Sequence, residues 1–403
     1  MNTPRLLLLC FCMLLFSTSC EKNNEEQNLS DIPENIFNLE KTLIIPLDSV
    51  GRHSVYYTMV NTEEKNLLGL VNFNLNAIEL HDLKNLSEKP YKRIILKKEG
   101  DEAVGVLTGF DWHNDDSIFT ISNVRSGNKM AMVDSEGNYK RTVVARNLSE
   151  EYDIYSMSGS SIHFINGYLY NPGVPSFRDL DNPANNAKQK IDIEDIVKVS
   201  DGSKVQMPTG LPKSVGKGSM MFGRVKGKGK QMVYSFYQDH SLYTLDLDFN
   251  NENGLVPHLA KSKFAKEIQT NNQDPSDPMT YFKWLFNNVT YEDVYYNSYL
   301  HVYYRIVGQP TGYTHDPVSG KQLDGNQRPF SVIVLDEQFN IIGEQLFPAE
   351  KYEFTYGRAF IHPKGLYLGL NNPHNTEIGE DEMAFQLLEL KAEFVKQAKK
   401  NKL

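Results

Sequence analysis

Two distant segments of this chain share one register: FGRVKGKGKQMVYSF at 222–236 and YGRAFIHPKGLYLGL at 356–370. In each, an aromatic residue, Gly, Arg and a small residue precede a strand-like run that begins eight to ten positions after the Arg. The register recurs where Ser160 leads to Tyr168, Leu169 and Tyr170, and where Phe110 leads to Ile118, Phe119 and Thr120. It recurs more weakly where Met59 leads to Leu67 and Tyr291 leads to Tyr299. The six marks, at 59, 110, 160, 224, 291 and 358, stand about 50 to 67 residues apart, which is room for four strands and variable loops.

Beyond Lys41 the chain is built of short runs rich in Val, Ile, Tyr, Phe and Leu, parted by Asn, Asp and Gly turns such as SEGN and DEQFN. The exception is MTYFKWLFNNV at 279–289, which has a helical period. After Phe110 the pattern predicts strands over 106–113, 117–122, 129–134 and 139–144. On this reading DWHNDD, at 111–116, is the end of an inner strand and its hairpin turn, although its Trp, His and three carboxylates resemble a catalytic cluster.

Six such meanders placed radially make an all-β, six-bladed β-propeller, which protects sheet edges by repetition around an axis. A seven-bladed ring and a two-domain β protein stay open as alternatives at this point. The last blade, with strands over 357–362, 365–371 and 382–390, is one strand short. The N-terminal segment KTLIIPL at 41–47 supplies the missing outer strand and closes the ring.

The leader MNTPRLLLLCFCMLLFSTSC carries one positive charge, an apolar run from Leu6 to Phe16, and small residues before Cys20. This predicts an export signal over 1–19, too short for a stable membrane span. A Cys after small residues fits cleavage and lipidation at Cys20, as in bacterial lipoproteins, with Ser17 where such leaders usually carry Leu. Ordinary cleavage with secretion is the alternative. All three cysteines lie in this leader, so the mature domain has no thiol pair and relies on its core. Residues 20–40 read as a lipidated flexible tether, 41–390 as the propeller, and 391–403 as a basic tail. A net charge of −9 argues against nucleic acid as a partner.

No zinc-protease helix, nucleophile elbow, EF-hand loop or Cys pair occurs, and the phosphate-loop look of GLPKSVGKGS fails on spacing. The histidines show no metal-ligand spacing, so no metal site and no cofactor is predicted. Arg224 and Arg358 occupy equivalent marks on innermost strands and are expected to face the central funnel, where two guanidinium groups suit a carboxylate or another anion. Pairing with blade carboxylates such as Asp111 or Asp293 is the structural alternative. Tyr291, the mark of the fifth blade, and His113, near the end of an inner strand, join them as ligand candidates. The long connections 172–189, 260–288 and 307–329 fall on one face and add Trp284 and Tyr313. Catalytic residues cannot be assigned from these patterns.

The leader, the acidic tether, the Tyr-rich YEDVYYNSYLHVYYRIVG and FSVIVLDEQFNIIGE, and the closing YGRAFIHPKGLYLGLNN together resemble a domain-of-unknown-function family of Bacteroidota-type propeller lipoproteins. The resemblance implies a propeller fold and a lipid-anchored outer-membrane location, at the cell surface or the periplasmic face. It implies no activity. The expected role is a binding or interaction module for a small anionic or glycan ligand or a protein partner, held to the membrane through its N-terminal lipid. The alternative is an enzyme acting on a glycan or small anionic substrate in the central funnel.

Overall fold

The computed structural model describes residues 29–400 except 55, 63–64, 125–126, 148–151, 155–160, 176–192, 208–209, 213, 216–220, 250–253, 266–267, 269–277, 313–323 and 356–357. Met1–Ile32 forms one unit, whose described part holds a 3-10 turn at Leu29–Asp31, and Pro33–Leu403 forms a second. Cys20 and the leader lie outside the described residues.

The second unit begins with β1 (Phe37–Asn38) and β2 (Thr42–Pro46). The first blade is β3 (Tyr57–Asn61), β4 (Asn66–Asn72), β5 (Ala77–Asp82) and β6 (Lys92–Ile95). The second is β7 (Val106–Asn114), β8 (Ser117–Val124), β9 (Gly127–Val133) and β10 (Tyr139–Asn147). In the third, the inner position is divided between β11 (Tyr152–Ile154) and β12 (His163–Ile165), both paired to β13 (Tyr168–Pro175), which is followed by β14 (Glu194–Lys198) and β15 (Lys204–Val205). The fourth is β16 (Phe222–Lys226), β17 (Gln231–Phe236), β18 (Ser241–Asp246) and β19 (Val256–Leu259). Helix α1 (Pro278–Asn287) leads into the fifth, β20 (Thr290–Asn297), β21 (Val302–Gly308), β22 (Phe330–Asp336) and β23 (Ile341–Phe347). The sixth is β24 (Ala359–His362), β25 (Gly365–Gly369) and β26 (Glu382–Leu390), and the chain ends in α2 (Ala392–Lys400).

Every sheet is an antiparallel meander, and the six form the ring of a six-bladed β-propeller. The sixth closes as expected. β2 pairs with β26 from Thr42 opposite Gln386 to Pro46 opposite Glu382, and β1 continues along the same strand with Phe37 opposite Leu390. The meander topology puts the first and third hairpin turns of each blade on one face. The second turns and the connections between blades lie on the other.

Two boundaries differ from the sequence expectation. The tether does not extend to residue 40, because Ile36 and Phe37 are buried in the core shared by blades 5 and 6, and Pro33 O accepts the Glu344 N–H. Nor is 391–403 simply a charged tail. Phe394, Val395 and Ala398 share one side of α2 and pack on the same core, while Glu393 in the first turn and Lys399 and Lys400 in the last suit the helix dipole.

The apolar cores lie between successive sheets rather than within them. Leu67, Ile78 and Leu80 of blade 1 meet Phe110, Ile118 and Val133 of blade 2, and Met232 and Tyr234 of blade 4 meet Tyr170 and Ile196 of blade 3. Successive inner strands come close at the glycine that precedes the mark Arg224. A Cβ on Gly223 would fall 2.6 Å from the Cα of Asp293 on the next inner strand, so only Gly fits.

DWHNDD proves to be architecture. Asp111 and Trp112 lie opposite Phe119 and Ile118 in the β7–β8 ladder, and the Asn114 side chain accepts the Asp116 N–H in the turn. The two quoted turn sequences also match. Asp134 accepts the N–H groups of Glu136 and Asn138, as Asp336 does those of Gln338 and Asn340. The left-handed position of this turn is Gly137 in one blade and Phe339 in the other, and Phe339 is held there between Tyr303 and His258.

Candidate functional site

Buried charges sit at the seams between blades, matched by groups of the neighbouring sheet, or are matched within their own blade. Arg305 on β21 reaches into blade 4 with its whole guanidinium. Its N–H groups donate to the carbonyls of Asp239, His240, Ser241 and Ala260 and to Ser235 Oγ, at 2.7–3.0 Å. Its Cζ lies 3.8 Å from the centre of the Tyr291 ring, and burial lowers its pKa to about 10. Glu344 on β23 accepts from Ser262 Oγ, Ser331 Oγ and the Lys263 N–H. Arg328 donates to the carbonyls of Gln309 and Asn288 and to Thr290 Oγ1, with Glu292 at 3.9 Å.

Arg224, expected to face a ligand, is 1 % exposed. Its Nη2 donates to Tyr170 O at 3.1 Å and its Nε lies 3.3 Å from Glu194 Oε1 of the preceding blade. Tyr234 OH donates to the same oxygen, yet burial still pushes Glu194 up to about 7, with Arg224 opposing. Arg358 is more open but holds its own carboxylate, Glu353, which burial also raises to about 7. The acids bound by the two marks are therefore Glu194 and Glu353, not Asp111 and Asp293. An anion reaching Arg224 would have to displace Glu194.

The remaining candidates divide by exposure. Tyr291 is buried beneath Arg305, where its OH meets His240 Nδ1 at 2.7 Å and accepts the Ser262 N–H. Trp284 is buried on α1 and only 8 % exposed. Tyr313, with most of the connections carrying 176–192, 269–277 and 313–323, lies outside the described residues. His113 is exposed on the hairpin face, its ring 4.6 Å from and edge-on to that of Phe164.

Around the hairpin-face end of the inner strands the groups are looser. Asp111 accepts the Phe164 N–H across the seam of blades 2 and 3. Burial pushes its pKa up to about 6, against the pull of Lys226 and Arg224, and burial with the same two cations holds His163 well below its ordinary value. His163 Nε2 is buried without a protein partner, and Lys226 is exposed. Among the described residues no three His, Cys, Asp or Glu side chains lie close enough to hold a metal ion.

The Asp111 shift has a definite sign. A carboxyl raised in the fold favours the proton-bound folded state, so its contribution is full below about pH 4 and is lost as pH rises through about 6. Asp111→Asn keeps an acceptor for Phe164 and removes the charge. It is expected to raise stability by about 1 to 2 kcal/mol at pH 8 and to leave it unchanged at pH 4, by urea unfolding at both.

The hairpin face also carries cavities that the repeat pattern did not signal. One, of about 260 Å³, lies under residues 85–91 of blade 1, and a second, of about 230 Å³, lies between blades 1 and 2. They share Tyr91 as a common wall. A third, of about 450 Å³, is lined by Phe164, Tyr168 and Arg141 at the seam of blades 2 and 3.

A family profile described as a domain of unknown function, DUF4221, matches residues 34–346. The fold superposes with a TM-score of 0.73 on the crystal structure of a DUF4221 family member from Bacteroides vulgatus, at 21% identity, covering 88% of this chain and 98% of that one. A protein assigned as exported from Bacteroides fragilis matches with a TM-score of 0.51 at 11% identity, covering 89% and 97%. No curated protein matches the sequence significantly. Profile and fold agree over most of the length: the chain belongs to the DUF4221 family.

Proposed function

We propose that this chain is an exported, lipid-anchored binding module that holds its ligand on the hairpin face of the propeller. The observation that carries this reading is the division of its polar groups. Buried acids and bases of the kind that proton-transfer chemistry needs are largely tied up within the fold, as in Arg224–Glu194, Arg358–Glu353 and Glu344 with Ser262. The open concavities, in contrast, each carry an aromatic residue, Tyr91, Trp112 or Phe164 with Tyr168, among hydroxyl, amide and charged side chains. That is the make-up of a recognition surface on a rigid scaffold.

Support for the anchor is the leader with its apolar run and small residues ahead of Cys20, and the assignment of one structural neighbour as exported. Lipidation at Cys20 would place the domain at the outer membrane, joined by a tether that ends at Pro33. The test is fractionation of cells expressing the full chain, with mass spectrometry of the mature N-terminus. The wild type is expected in the membrane fraction with a lipid-modified Cys20, and Cys20→Ala should leave more than nine-tenths of that population there no longer. A mature N-terminus at another residue without lipid would overturn the anchor.

A further inference from the structure

Tyr91 is 53 % exposed at the end of the loop joining β5 and β6, with one cavity on either side of it. The Lys65 ammonium lies 4.1 Å from its ring centre and is bound to Asp82 at 3.0 Å. A cation over one ring face fixes the orientation of the ring. Across the second cavity stands Trp112, at the end of β7, its indole packed against the core of blades 1 and 2. Trp112 Nε1–H is buried and has no protein acceptor. Asp115 and Ser135 line the same cavity.

The charges along this groove are largely matched within the protein. Lys65 holds Asp82, and Lys92 holds Glu136 at 2.6 Å. An anionic ligand would compete with carboxylates already in place. What the groove offers instead is two aromatic side chains, Tyr91 and Trp112, with the polar residues Asp115 and Ser135 in the same lining. Such a lining complements a molecule with polarised C–H groups on one side and hydroxyl groups at its edge. The negative face of an aromatic ring attracts the C–H side. We infer that the groove between Tyr91 and Trp112, at the junction of blades 1 and 2, is a binding subsite for a neutral saccharide. This rests on the reading of the hairpin face as the recognition surface and names the ligand class and the place.

The chain contains only two tryptophans, Trp112 and Trp284, so its indole N–H spectrum has two signals and Trp112→Phe assigns them. The whole mature chain is titrated with cellohexaose, maltohexaose and mannohexaose, with a glucuronate-containing hexasaccharide as the acidic comparison. The Trp112 signal is expected to shift with at least one neutral sugar while that of Trp284, buried on α1, stays in place. Tyr91→Ala should weaken that sugar at least tenfold with an unchanged melting temperature, because the ring is half exposed. Trp112→Phe shortens the aromatic wall opposite Tyr91 and should weaken it about fivefold. No shift with any neutral sugar at millimolar concentration overturns the saccharide assignment. Binding that survives Tyr91→Ala overturns the location. An acidic sugar that binds without moving the Trp112 signal overturns this subsite too, yet leaves the wider reading of a binding module standing.

Discussion

A chain beginning at Val50 is expected not to fold, whereas one beginning at Pro33 should melt with the full mature domain. The segment removed contains both strands that complete the sixth blade, β1 and β2. Ile36, Phe37, Leu43 and Ile45 are all buried, and at roughly 1.5 to 3 kcal/mol for each buried side chain their loss amounts to about 6 to 12 kcal/mol. That is comparable to the whole stability of a domain, about 5 to 15 kcal/mol. The loss is also structural. Gln386 Nε2 donates to the carbonyls of Leu39 and Lys41, and Leu387 N–H donates to Lys41 O, so removal leaves an unpaired edge on β26. Thermal unfolding followed by circular dichroism compares the two chains. Equal melting temperatures would show that the ring does not depend on this closure.

How much of this was legible in the letters depends on whether the determinants are local. The four strands after Phe110 fall within a few residues of their predicted ranges, because alternation and Asp/Asn turn chemistry act over neighbouring positions. Closure was legible from the strand deficit of the last blade. The tether and tail were misjudged for one reason: strongly polar surroundings masked short apolar sets, Ile36 with Phe37 and Phe394 with Val395 and Ala398. Those sets become core only when two distant chain ends meet.

The site was far less legible. The register correctly put Arg224 on an inner strand, but its partner Glu194 comes from the preceding blade, at no fixed offset from the mark. Arg305 and Arg328 carry no repeat signal because they bind mostly backbone carbonyls, which every residue has. Tyr91 lies in an irregular turn of blade 1, and only the packing of blade 2 beside it creates the cavity with Trp112. Sequence periodicity reports which face of a strand is buried. It does not report which blade stands opposite.

The division between seam and open surface makes a large prediction at Arg224. Breaking a buried pair by removing one member leaves a lone charge in a low-dielectric setting and costs about 3 to 5 kcal/mol. Arg224→Met leaves Glu194, already raised by burial, without its cation, so the cost should be greater at pH 8.5 than at pH 6 as that carboxyl is forced to ionise. Glu194→Gln keeps an acceptor for Tyr234 and should cost less. In the double variant neither charge is stranded, so its cost should fall below the sum of the singles. The most direct measurement is therefore the unfolding free energy of Arg224→Met, Glu194→Gln and the double variant by guanidinium titration at pH 8. A loss of about 3 to 5 kcal/mol for Arg224→Met, with positive coupling to Glu194→Gln, is the result expected of a seam. An Arg224→Met chain as stable as the wild type would contradict it and return Arg224 to the ligand.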